Sequence, residues 1–102
     1  DRSVITRAEL NDVDVRNLYE AIDRLRPRWL IVRGGPRSFS METEIVVFQD
    51  QAYLGDQDVL RRMGTEGVTE IRHLDGPTAS ASLPGMSGRH VAGAIIVSMR
   101  IP

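Results

Sequence analysis

The stretch from Val68 to Arg100 most constrains what this chain can fold into. It opens with a strand-like segment closing on Leu74-Asp75-Gly76-Pro77, then passes through small residues and a Gly85/Gly88 loop. It ends in Gly93-Ala94-Ile95-Ile96-Val97-Ser98-Met99, which is apolar at consecutive positions. A strand apolar on both faces needs cover on both sides, so it belongs inside a sheet.

The segments before it supply the partners. Ser3-Val4-Ile5 is a short apolar start that fits an edge strand. Thr6-Arg7-Ala8-Glu9 has capping-box spacing and predicts a helical turn to about Leu10. Asn11 and Asp12 then break it and can cap again. Val15, Leu18, Ile22 and Leu25 recur at spacings of three and four, the signature of an amphipathic helix with one buried stripe. Pro27 removes an N–H and disfavours helix at Arg26, so that helix stops there. Trp29-Leu30-Ile31-Val32 reads as a short strand ended by Gly34-Gly35-Pro36.

Glu44-Ile45-Val46-Val47-Phe48-Gln49 is rich in β-branched residues and reads as a strand. Asp50-Gln51 turns it into Ala52-Tyr53-Leu54, giving a hairpin closed by Gly55. Asp56 suits the N-cap of a second helix, Gln57 to Met63, with Gly64 placed for a left-handed C-terminal residue. A strand from Glu70 to Leu74 follows, and Asp75-Gly76-Pro77 turns. Thr78 to Leu83 is a helical turn or loop. The expected order is β-α-β-β-β-α-β-loop-β. This is an α+β fold with two helices on one face of a small mixed sheet.

At 102 residues the chain is expected to form one domain, residues 1–102. It has no cysteine, which excludes disulfides, thiol nucleophiles and cysteine metal sites. Its apolar runs fall far short of the roughly 20 residues of a membrane-spanning helix. A formal charge of −1 provides no bulk field toward nucleic acid or anionic lipid. All 13 basic residues are arginine, whose GC-rich codons account for that usage. The chain begins at Asp1 rather than Met, as expected of a processed product or an excised segment, so the lack of a leader is uninformative.

With these segments in place, the chain resembles the plug domain of TonB-dependent outer-membrane receptors, in particular free-standing plug-like modules. The matching residues are Leu25-Arg26-Pro27 with Trp29-Leu30, and Val46-Val47-Phe48-Gln49-Asp50 for the first hairpin strand. Val68-Thr69-Glu70-Ile71-Arg72-His73-Leu74-Asp75-Gly76-Pro77 is the most specific segment. Ala79 and Ala81 follow, and Ala92-Gly93-Ala94-Ile95-Ile96-Val97 closes the pattern. The match runs from about Ile5 to Arg100.

It departs from the family at three places. Gln51 stands where the turn has glycine, Leu83-Pro84-Gly85 replaces an aromatic-glycine pair, and Ala92 replaces a glycine. The resemblance implies a plug-like fold at the periplasm or outer-membrane periphery, with a protein partner or outer-membrane component. Uptake and gating do not carry over, because a lone plug encloses no channel.

Arg24, Arg26, Arg28, Arg33 and Arg37 are the densest charge feature, with no acid from Arg24 to Met41. They offer a surface for a phosphate, a lipid headgroup or an acidic partner. The architectural reading outweighs this one. Arg24 and Arg26 complement the negative end of a helix dipole, and strand alternation sends Arg28 and Arg33 to opposite faces. Arg33-Gly34-Gly35 is a single copy, and aromatics are not interleaved with the arginines, so nucleic acid is disfavoured.

His73 and His90 lack metal-ligand spacing even with Asp75 as a third group, so no metal is expected. Gly34-Gly35 and Gly85-Met86-Ser87-Gly88 do not lead from a strand into a helix, as a phosphate cradle must. There is no G-x-S-x-G elbow for Ser80, Ser82 or Ser87. Glu42 and Glu44 suit protection of a strand edge better than acid–base work.

The expected function is therefore a non-enzymatic, cofactor-free interaction module. Its surfaces are the hairpin edge from Glu44 to Leu54 and the loop from Thr78 to Arg89. The alternative is a small anion-, ligand- or nucleic-acid-binding domain that uses the arginines.

Overall fold

A computed structural model describes residues 3–30, 45–85 and 91–99. The N-terminal signals fold as their spacing dictates. β1 (Val4–Thr6) runs into α1 (Arg7–Asn11) through a complete capping box. The Thr6 hydroxyl accepts from the Glu9 N–H, and the Glu9 carboxylate accepts from the Thr6 N–H, each at 3.2 Å. α2 (Leu18–Leu25) is capped by Asn17, whose side-chain oxygen accepts from the Glu20 N–H at 2.9 Å. It ends at Arg26, one residue before Pro27.

Four more strands complete a mixed sheet: β2 (Ile45–Gln49), β3 (Ala52–Asp56), β4 (Val68–Asp75) and β5 (Gly93–Met99). The order is β1-β4-β5-β2-β3. β5 pairs antiparallel with β4 and parallel with β2, the interior position that its unbroken apolar run required. A third helix, α3 (Gly76–Ser82), joins β4 to the segment before β5. The fold is α+β, a mixed five-stranded sheet with helices.

Strand alternation divides the core into two layers. On one face Ile5, Ile71, Val97, Ile95 and Val47 meet Leu18, Ala21 and Ile22 of α2 and Leu60 of a 3-10 helix, Gln57–Arg62. These are the two helices expected on a single face. On the other face Val46, Phe48 and Ala94 pack with Ala79 of α3 and with Val91. Among the described residues no polar or charged side chain is buried.

Several expectations need correction. Trp29-Leu30 does not extend as a strand: Pro27–Leu30 is a 3-10 turn, while Ile31 and Val32 lie outside the described residues. Proline is compatible with the first position of a helical turn, and the turn delivers Trp29 into the core, where it is 5% exposed. Asp75-Gly76-Pro77 is the start of α3 rather than a turn, with Asp75 accepting from the Thr78 N–H at 2.8 Å. Gln57–Arg62 is 3-10 rather than α, capped by Asp56 as foreseen. Gly64 is not left-handed, and the positive φ falls instead at Gly67, 79°.

Candidate functional site

Of the five arginines, the described ones, Arg24, Arg26 and Arg28, take up different environments. Arg24 is exposed in the last turn of α2, where it complements the helix dipole. Arg26 is bound inward. Its Nη2 donates to the Val4 carbonyl at 3.0 Å and lies 2.9 Å from Glu9 Oε2, and its Nη1 donates to the Leu25 carbonyl at 2.9 Å. One side chain thus ties the end of α2 to β1 and α1. Arg28 is exposed. Arg33 and Arg37 lie outside the described residues, as do Glu42, Glu44, His90 and Met86-Ser87-Gly88.

A cleft of about 440 Å³ opens beside this junction, lined by Leu25, Arg26, Pro27, Arg28 and Trp29. Arg28 brings an exposed cation to it, and Trp29 an aromatic wall. On its inner side the Trp29 ring stacks on His73, with centroids 5.4 Å apart and planes 14° from parallel. A methyl group on Gly93 would come within 3.1 Å of His73 Nε2, so the imidazole lies over a strand position that carries no side chain. Burial holds the His73 pKa below its ordinary 6.5, with Asp75 opposing in part. Asp75 itself is committed to Thr78, whose side chain and backbone hold its carboxyl below the ordinary 3.8. His73 thus joins β4 to the Trp29 turn, and Asp75 joins it to α3. Among the described residues no three His, Cys, Asp or Glu side chains gather to hold a metal.

The hairpin offers a second surface. Among the described residues β3 is the edge strand, beyond β2. Phe48 pairs with Tyr53 and Val47 with Gly55, which leaves Leu54 as the extra residue of a β-bulge. Gly55 takes a φ of 138° there, closed to other residues. The bulge lets Leu54 turn toward the α2 side of the core while Tyr53 stays on the α3 side. Tyr53 packs edge-on against Phe48 at 5.7 Å, yet remains 47% exposed, the exposed large apolar residue among those described. Phe48 and Leu83 share one core cluster, so the hairpin and the end of α3 present their surfaces on one side of the sheet.

Sequence reasoning placed Tyr53 in the hairpin without singling it out, and its signal was an aromatic set between Asp50 and Asp56 in a short edge segment. It missed two contacts altogether: Arg26 with Glu9, and Arg61, whose guanidinium lies 3.8 Å above the Tyr19 ring. No described helix is long and apolar enough to cross a membrane. No family model, curated protein or solved structure matches this chain.

Proposed function

We propose that the protein is a non-enzymatic, plug-like interaction module of the bacterial cell envelope that acts through a protein partner or an outer-membrane component. Its segments resemble those of receptor plug domains, and that resemblance supports the envelope assignment. The observation that carries the interaction reading is the β3 edge with Tyr53 half exposed beside it. A strand edge offers backbone donors and acceptors to an incoming chain, and a neighbouring aromatic adds apolar contact.

The test is affinity capture from envelope fractions of the source bacterium with wild type, Tyr53→Asp and Leu83→Asp, each verified as folded by circular dichroism. A partner recovered with wild type and lost with Tyr53→Asp supports the reading. Capture that depends on neither position overturns it.

The cleft beside Arg28 favours a second reading, a small anion- or ligand-binding domain. Calorimetry with pyrophosphate at low salt tests it. Binding that weakens with Arg28→Ala and with added salt supports that reading, and no heat removes it.

A further inference from the structure

The charges around β3 narrow what can bind there. Asp56 closes the strand, where it also caps the 3-10 helix that follows, and Asp50 lies in the turn just before it; both are exposed and flank Tyr53 along the chain. Asp58, just beyond, shares its charge with Arg61 at 3.7 Å. The edge is therefore apolar at its centre and acidic at both ends. A second copy of this chain is a poor occupant, since β3 laid against β3 brings acids toward acids, and like charges across strands destabilise. The bulge at Leu54 shortens the straight part of the edge, which discourages indiscriminate pairing.

We infer that the β3 edge receives an extended segment of a partner protein with basic ends and an apolar centre. This rests on the reading of the chain as an interaction module. At about 3.3 Å per residue, an added strand of about six residues reaches from Asp50 to Asp56. Its central side chain on the α3 side would lie next to Tyr53, at the roughly 4.5–5.5 Å spacing of cross-strand neighbours. Its terminal cations would meet the two carboxylates. Complementarity of this kind sets register and partner choice more than raw affinity.

Amide chemical shifts of the isotope-labelled protein, titrated with capped hexapeptides, test the inference. One peptide carries arginine at both ends of a valine–threonine core, and the other carries glutamate there. The basic-ended peptide is expected to shift Gln51 through Asp56, and the acidic-ended one to leave them unmoved.

The double variant D50N/D56N should keep the fold, because asparagine tolerates the positive φ of 55° at position 50 and caps helices as well as aspartate does at position 56. It should weaken the basic-ended peptide by about two- to tenfold, as expected for two exposed ion pairs. Equal shifts with both peptides, shifts centred on Arg24 to Trp29, or silence at millimolar basic-ended peptide would overturn the inference. If envelope capture still depends on Tyr53 or Leu83 while the edge is silent to the peptide, only this partner chemistry fails. Loss of that dependence sinks the interaction reading itself.

Discussion

The Trp29 indole lies nearly flat on the His73 imidazole, with ring centroids 5.4 Å apart. The stack joins the 3-10 turn after α2 to β4. It places a titratable ring between an aromatic face and the bare backbone of Gly93. Burial holds the His73 pKa below 6.5. The folded protein therefore holds fewer protons at this site than the unfolded chain around that pH. Stability from this group is complete above pH 6.5 and is lost as pH falls toward the folded pKa. Urea midpoints of wild type should drop between pH 7.5 and 5.5, and those of His73→Phe should drop less. Parallel pH profiles would show that the stack is indifferent to protonation.

Gly76 is fixed by a close approach rather than by a turn. A Cβ at this position would lie 2.2 Å from the Val91 carbonyl oxygen, a backbone atom with no rotamer to yield. Gly76→Ala should cost about 1–3 kcal/mol, the range for overpacking, or displace α3. Gly64 has no atom within 4 Å of a built Cβ, and its φ is ordinary. Gly64→Ala should be neutral or stabilise by up to about 1 kcal/mol by reducing unfolded-chain entropy. Chemical denaturation of the two variants side by side separates steric demand from generic glycine replacement.

Arg26 and Arg28 are near neighbours in sequence with opposite roles. Removing Arg26 strands the part-buried Val4 and Leu25 carbonyls and takes the cation from Glu9, which keeps its bond from the Thr6 N–H. Each unsatisfied group costs roughly 1–3 kcal/mol, so Arg26→Ala should lower the thermal midpoint clearly. Exposed Arg28→Ala should stay within about 0.5 kcal/mol of wild type. Equal midpoints would refute the structural assignment of Arg26.

Burial raises the Glu9 carboxyl, and the Thr6 N–H and Arg26 together outweigh it, leaving its pKa below 4.5. This contribution is present above pH 4.5 and is lost as pH falls below it.

The Asn17 cap is a local test of the same kind. Its side chain supplies the acceptor for the Glu20 N–H. Asn17→Ala should destabilise by about 1 kcal/mol and Asn17→Asp by little. Thermal melts that rank the two variants in the reverse order would argue against the cap.

These cases show which parts of the molecule the residues announce. Signals closed within a few positions were legible: the Thr6/Glu9 capping box, the stop before Pro27, the Asp56 cap and the interior character of Gly93 to Met99. Each depends on local stereochemistry or on strand alternation. Trp29-Leu30 misled because a short bulky apolar run looks alike in a strand and in a buried turn, and its resolution depends on His73, remote in sequence. Asp75-Gly76-Pro77 reads as a turn or as the first turn of a helix, and only the approach of Val91 separates the two. Arg26 looked like part of a basic surface because its partner, Glu9, is 17 residues away. The edge position of β3, and hence the exposure of Tyr53, follows from the strand order, which no local pattern encodes.

The central claim is that the chain works through a partner bound on the side of the sheet where Tyr53 is exposed. The most direct measurement is photo-crosslinking in cells that produce the protein, with benzoylphenylalanine at position 53 compared with position 23 on the exposed face of α2. The account predicts a discrete envelope-associated adduct from position 53, weakened in D50N/D56N, and none from position 23. Adducts of equal intensity from both positions, or none from position 53 in folded protein, would contradict it.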